Sequence, residues 1–154
     1  MQFTIRNFKE EDASRISSII EECFKLIDLG NHTAEGIRLQ IEANRPELLI
    51  EKSKTVTYFV AAYNDNIVGI CGYRKNKIQT LFVDINYHHD GIGSALLAKV
   101  LADAKSNGLS RVFTWSTVFA ENLYSSFGFR KEQEIFFPDG SKDIGLILMT
   151  KVLE

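Results

Sequence analysis

Leu81-Phe82-Val83-Asp84-Ile85-Asn86-Tyr87-His88-His89-Asp90-Gly91-Ile92-Gly93-Ser94 carries the chain from an apolar run through a short loop into a glycine-rich helix start. The run reads as a strand over Ile78 to Ile85, and the helix is predicted from Gly91-Ile92-Gly93 to Ser106, with Leu96, Leu97, Val100, Leu101 and Ala104 on its buried stripe. The first turn of a helix has unpaired N–H groups, the macrodipole adds partial positive charge there, and glycine lets an anion approach the backbone. Such a start holds a pyrophosphate without any basic side chain. A Gly-x-Gly of this kind is also what a tight strand-to-helix turn requires, and alone it does not separate the two readings. Two nucleotide signatures fail on detail. The chain reads Gly91-Ile92-Gly93-Ser94-Ala95-Leu96 in its middle rather than GxGxxG in a first βαβ unit, and no Lys-Ser or Lys-Thr pair follows Gly93.

Upstream, Phe3 to Arg6 is extended, and Glu10, Glu11 and Asp12 supply first-turn charge for a helix. Its apolar positions Ile16, Ile19, Ile20, Cys23 and Phe24 recur at helical spacing until Leu29-Gly30-Asn31 breaks it. Thr33 caps a second helix to about Ala43, and Pro46 marks a boundary soon after Asn44. A hairpin is predicted from strands Thr55–Ala62 and Ile67–Arg74 around Asn64-Asp65-Asn66. Downstream, Gly108 ends the long helix, Arg111 to Trp115 is extended, and Ala120 to Phe127 is helical. Two last strands, near Phe129–Phe137 and Ile144–Val152, flank a Pro138-Asp139-Gly140-Ser141 turn.

The chain has 154 residues, 45% of them apolar and 25% charged, which suits one globular domain with its own core. A net charge of -2 with scattered Lys and Arg argues against nucleic acid as a partner. No apolar run approaches the roughly 20 residues of a membrane span. Arg6 and Lys9 to Asp12 interrupt any apolar leader, so a cytoplasmic protein without a membrane partner is expected. Cys23 and Cys71 lie within apolar patterns and read as buried small hydrophobes, and His32, His88 and His89 lack further ligands nearby, so no metal site is expected.

A second motif narrows the function. Ala120-Glu121-Asn122-Leu123-Tyr124-Ser125-Ser126-Phe127-Gly128-Phe129 presents Ala, a spacer, Leu-Tyr, and Gly-Phe four residues after Tyr124. With His88-His89-Asp90-Gly91-Ile92-Gly93 before it, the chain resembles the GNAT superfamily of acetyl-CoA-dependent N-acetyltransferases. The family loop pattern is Gln or Arg, two residues, Gly, one residue, then Gly or Ala. The Ile67-Val68-Gly69 strand and the final Gly145–Leu153 strand are also similar to family counterparts, so the resemblance covers nearly the whole chain.

The resemblance implies an α/β (α+β) fold. Its mixed, mostly antiparallel central sheet is flanked by about four helices, and two splayed parallel strands form the acyl-CoA cleft. It implies acetyl-CoA as co-substrate and a primary amine of a small molecule or peptide as acceptor, acetylated by direct attack in a ternary complex. A homodimer is compatible with this. Residue by residue, Phe82 and Val83 would bond the pantetheine through their backbone, and His88, His89, Asp90, Gly91, Ile92, Gly93 and Ser94 would hold the pyrophosphate. Tyr124 would protonate the departing thiolate, or its hydroxyl would merely satisfy a buried neighbour. His88 departs from the family's Gln or Arg, and Asp90 adds negative charge unless it turns away to cap the helix. The strand lacks the glutamate that often serves as base, leaving Asp84 or a water chain to take the proton, with Asp84 alternatively the organiser of the loop. Asp28, Asn31, His32, Glu35 and Tyr73 either meet the amine or serve as solvated loop and capping residues. The missing carboxylate keeps open a non-catalytic acyl-CoA-binding regulatory module.

Overall fold

The computed structural model describes residues 2–154. Seven strands form one sheet: β1 (Thr4–Asn7), β2 (Thr57–Tyr63), β3 (Asn66–Arg74), β4 (Lys77–Val83), β5 (Arg111–Ser116), β6 (Arg130–Phe136) and β7 (Leu146–Val152). Their order is β1-β2-β3-β4-β5-β7-β6, and every neighbouring pair is antiparallel except β4 and β5. The α/β fold expected from the resemblance is the one observed. The β2–β3 hairpin turns on Asn64 and Asp65, both at positive φ (49° and 67°), the two-residue geometry whose twist matches the strands.

Helices cover both faces. On one lie α1 (Ala13–Leu26) and α3 (Pro46–Lys52), with α2 (Ala34–Ala43) against α1. Ile16, Ile19, Ile20, Cys23 and Phe24 of α1 are buried with Leu49 of α3 against Tyr58, Val60, Ile67 and Ile70. On the other face α4 (Ile92–Ser106) and α5 (Glu121–Ser126) bury Leu96, Leu97, Val100 and Tyr124 against Phe59, Val68, Ile78, Val112 and Met149. Thr33 caps α2 by accepting from the Gly36 amide (3.0 Å). The helix count corrects the expectation of about four. Pro46 does not only end a segment; it starts α3 at the first helical position, where a missing N–H removes no hydrogen bond. The run Ile78–Ile85 also divides, since Ile85 belongs to a 3-10 turn (Ile85–Tyr87).

The sheet opens between β4 and β5. Only Lys77 pairs with Phe113 and Ile78 with Thr114, and the Thr114 hydroxyl donates to the Ile78 carbonyl (3.1 Å) at that last pair. Immediately beyond, β4 slips against β3 between the Gly72–Gln79 and Ile70–Phe82 pairs, with Thr80 at φ 61°. A β-bulge adds a residue to one strand, bends it and increases its twist. A β-branched residue rarely adopts positive φ, and the sequence pattern carries no signal for it. Gly72 allows this arrangement on the β3 side, because a Cβ there would meet the Tyr58 ring at 2.4 Å. No helix among the described residues is long and apolar enough to cross a membrane.

β1 is tied to the start of α1 by Arg6, whose guanidinium donates to both oxygens of Asp12 (2.8 and 2.9 Å). Burial pushes the Asp12 carboxyl up, but the Arg6 bonds and the Lys9 amide outweigh it and hold it below its ordinary value. A carboxyl depressed on folding contributes stability that is complete above the unfolded value, about 3.9, and is lost as pH falls through the folded one. Asp12→Asn should therefore lower stability at pH 7 by about 2 kcal/mol and flatten the loss of stability below about pH 4. Urea melts of both proteins from pH 3 to 7 check this.

Candidate active site

The parting strands open a cleft of about 800 Å³. Gln79 to Val83 of β4 and Thr114 to Ser116 of β5 form its sides; His88, Gly91, Gly93 and Ser94 close one end, and Leu123 and Tyr124 of α5 line the gap. His32, Gln40, Asn44, Lys52, Lys77, Pro138 and Leu146 surround the other mouth. A second hollow of about 520 Å³, between the end of α4 and β5, β6 and β7, includes none of the residues of the glycine turn.

At the closed end Gly91 caps α4 with φ 82°, and no side chain bonds the helix's first amides. The first intrahelical bond starts at Ala95, which donates to Gly91 (3.0 Å), so the N–H groups of Ile92, Gly93 and Ser94 are free at the cleft. Gly93 is not forced by packing, because a Cβ there would lie 3.4 Å from Leu123 and 3.7 Å from Val83. The space it leaves open faces the cleft. His89 shares the turn's positive φ (68°), and Asp90 is exposed and does not cap the helix.

Val83 and His88 interact in a way the sequence reading did not anticipate. The His88 ring donates through Nε2 to the Val83 carbonyl (2.8 Å), and the Cys23 thiol donates to the same oxygen (3.3 Å). Both lone pairs of that carbonyl are thereby occupied. The Asp84 amide donates to Val68 of β3 (2.8 Å), so strand alternation turns the Val83 N–H toward the gap. The amide, rather than the carbonyl, is the group Val83 offers. His88 also stacks beside Phe119 (5.8 Å between centroids), an aromatic that sequence reasoning passed over.

Asp84 is 2% exposed and lies outside the cleft lining. One oxygen accepts from the Asn86 amide (2.9 Å), and the other accepts from Arg15, whose Nε donates to Ile67 (3.2 Å). These contacts fit the loop-organising alternative, since a proton acceptor must reach its substrate. Arg15 carried no sequence signal, because 69 residues separate it from Asp84.

Tyr124 is 3% exposed, edge-on to Phe129 at 5.2 Å, and reaches the cleft beside Thr114. Burial pushes its phenol well above the ordinary value, the Thr114 hydroxyl acting in the opposite sense, so the hydroxyl stays protonated and keeps a proton to donate. Burial likewise pushes both Cys23 and Cys71 up to about 12, with Asp84 and Glu22 adding at Cys23. Neither thiol forms a thiolate near neutrality, which removes both as nucleophiles.

Of the residues expected to meet an amine, only His32 lines the cleft. Asp28 accepts from the Gly30 amide (2.9 Å), Glu35 pairs with Arg38, Asn31 forms a turn at φ 50°, and Tyr73 donates to Asp103 of α4 (2.6 Å). The His32 Nδ1 donates to the Gly30 carbonyl, which directs Nε2 away from that carbonyl as the ring's other nitrogen.

The sequence matches the family described as "Acetyltransferase (GNAT) domain" over residues 28–151. The chain belongs to the GNAT acetyltransferase family. Solved structures with the GNAT fold include a GCN5-related N-acetyltransferase from Rhodopseudomonas palustris (TM-score 0.87, 17% identity, covering 99% of this chain and 97% of that one). Another is the PaiA N-acetyltransferase from Thermoplasma acidophilum in complex with coenzyme A (TM-score 0.81, 22% identity, 99% of each chain). Human N-acetyltransferase 8 is 32% identical over 93 residues, 52% of this chain, and the matched stretch spans 41% of that protein's length. The GNAT motifs quoted from the sequence, His88 to Gly93 and Ala120 to Phe129, lie at the closed end of the cleft and along its gap.

Removing Arg15 strands the buried Asp84 charge. Arg15→Ala should cost about 2 kcal/mol, less than a fully buried pair because Arg15 is partly exposed, and adding Asp84→Asn should recover part of it. A double-mutant cycle by urea denaturation tests the coupling, and additive effects would show that the pair contributes nothing.

Proposed function

We propose that this chain is an acetyl-CoA-dependent N-acetyltransferase acting on a primary amine by direct attack within a ternary complex. The observation that carries this reading is the gap between β4 and β5, with free α4 amides at one end and a buried, protonated phenol beside it. The coenzyme A bound to the Thermoplasma acidophilum neighbour supports acetyl-CoA as co-substrate. A single acetyltransferase domain in the cytoplasm belongs to the same proposal.

On this reading the free amides of Ile92, Gly93 and Ser94, with the turn His88–Gly91, hold the pyrophosphate through backbone and helix dipole. The Val83 N–H orders the pantetheine along β4, whereas the Phe82 backbone, by the same alternation, is turned toward β3. His88 acts indirectly, by occupying the Val83 carbonyl. Acetyl-CoA supplies an acyl group on a thiol leaving group. The amine nitrogen bonds the thioester carbon, the carbon–sulfur bond breaks, and Tyr124 donates a hydrogen bond to the developing thiolate. His32, through Nε2, or a water it orders, takes the proton the amine releases. Asp84 is a positioning residue for the loop.

A non-catalytic acyl-CoA-binding module is the second reading. It is favoured by the lack of an available carboxylate at the cleft, where Asp139, the one lining acid, accepts both the Ser141 amide (2.9 Å) and hydroxyl (2.7 Å). Thiol release from acetyl-CoA over a panel of amines separates the readings: release with an amine supports transfer, and binding without release supports the module.

Tyr124→Phe keeps the ring and removes the donor. It should lower kcat and kcat/KM together by about a hundredfold or more, with acetyl-CoA affinity and Tm near parent values. Activity within about threefold of the parent would take Tyr124 out of the mechanism. Gly93→Asp should abolish acetyl-CoA binding in calorimetry while the protein stays folded by circular dichroism. Normal affinity would move the cradle elsewhere.

A further inference from the structure

The parallel pairing fixes which side chains share a face. Lys77 stands beside Phe113, and alternation places Gln79 and Trp115 on that same face, while Ile78 and Thr114 are buried on the other. Trp115 continues into an aromatic row, 6.3 Å from Phe113 and 5.1 Å from Phe136 between ring centroids. All three rings are only half-buried and belong to neither core cluster, so this face of β5, β7 and β6 lacks the helical cover that β2 to β4 have.

Two cations line the cleft, one of them, Lys77, at the edge of the row. Lys77 is exposed and pairs with no carboxylate among the described residues. Lys52 donates to the Ala43 carbonyl (2.7 Å) and to Asn44 (3.4 Å), which uses two of its three N–H groups. Lys52 and Lys77 line the same cleft, and the Lys52 ammonium is held below the ordinary value by burial and by the like charge of Lys77. The one acid lining the cleft, Asp139, is engaged by Ser141. These lysines are not placed for the pyrophosphate. Six residues of strand separate Lys77 from Val83, about 20 Å, and the free amides of α4 lie past Val83.

We propose that the acceptor is a small amine carrying its own carboxylate on an apolar or aromatic body. The carboxylate pairs with Lys77 and Lys52, the body lies on Trp115 and Phe113, and the amine points into the gap between β4 and β5. The direction of the amine rests on the acetyl-transfer reading; the carboxylate and aromatic contacts do not. A peptide N-terminus lacks a neighbouring carboxylate and a polyamine brings only positive charge, so neither matches two unpaired lysines.

Trp115 is the chain's one tryptophan, so its fluorescence reports on this face alone. With coenzyme A present, phenylalanine, leucine and 3-phenylpropionate should change its emission saturably, and their carboxamides should bind at least about tenfold more weakly. Lys77→Gln, at an exposed site, should erase that preference, and Lys77→Arg should restore it, with coenzyme A affinity unchanged in both. Equal affinity for acids and amides, a preference that survives Lys77→Gln, or no saturable change with any of them overturns the proposal. So does an emission change that follows protein concentration alone, which would make the face an interface between copies of the chain. Acids that bind while no amine of the panel releases thiol from acetyl-CoA would leave this site standing and defeat the acetyl-transfer reading instead, whereas acids that bind unacetylated while other amines are acetylated would overturn the acceptor assignment.

Discussion

The parallel pairing of β4 and β5 stops after two residue pairs, and the rest of the molecule is arranged around that stop. A parallel ladder left to itself would continue, because each further pair satisfies backbone groups that otherwise need water. Here Thr80 at φ 61° interposes an extra residue on β4 directly after the last pair. The bend is maintained from both sides: Thr114 pins β5 to Ile78 at the point of divergence, and the Tyr58 ring occupies the space over Gly72 on β3. A non-glycine residue at positive φ costs about 1–2 kcal/mol, and the surrounding sheet supplies the stability that maintains it. What the strain yields is an edge of polar backbone inside the sheet, facing a cleft rather than another strand.

That edge explains why the closed end needs so little charge. Helix α4 begins at the far end of β4, so its free amides and the strand's unpaired N–H groups line the same cleft. Asp84 fixes the turn between them from behind, through Arg15 and the Asn86 amide, and not from within. A buried carboxylate held in this way aligns the backbone without adding negative charge at the cleft surface. His88 has a related indirect role. By donating to Val83 it takes up the carbonyl and leaves the strand presenting donors. The substitution of His for the family's usual residue thus changes which backbone groups are offered more than it changes the local charge.

The sequence was informative wherever a feature is local. The stripes of α1 and α4, the Thr33 cap, the Asn64-Asp65 turn and the Gly91 cap each depend on residues a few positions apart, and each was visible as periodicity or turn chemistry. Pro46 reads as a stop because proline ends helices, but proline also begins them, and only the Glu-Leu-Leu-Ile that follows distinguishes the two. Thr80 gave no sign, since its conformation is imposed by neighbouring strands against its own preference. Arg15 with Asp84 is a contact between distant segments, and Lys52, Lys77 and Trp115 come from separate elements to line one cleft, so no period connects them. The alternation Lys77, Gln79 within an apolar strand was readable, but which face it marked depended on the register with β5.

The buried phenol constrains the chemistry of the proposed reaction. An ordinary thiol has a pKa of about 8.5 and an ordinary phenol about 10, and burial raises Tyr124 further above that value. Complete proton transfer from Tyr124 to a departing thiolate is therefore uphill in the resting site. A hydrogen bond to that thiolate is not, and in a dry cleft it strengthens as negative charge accumulates on sulfur. Tyr124 then works by preorganised donation, the amine's proton passes to the acceptor on the other side of the gap, and the released thiolate takes its proton from solvent, which balances the step. This assigns the two faces of the gap different tasks. Toward α4 and α5 the site is buried and supplies donors, whereas toward α2, α3 and the aromatic row it is open, cationic and in contact with water. A proton acceptor belongs on the second face, where His32 lies and where the released proton can reach solvent.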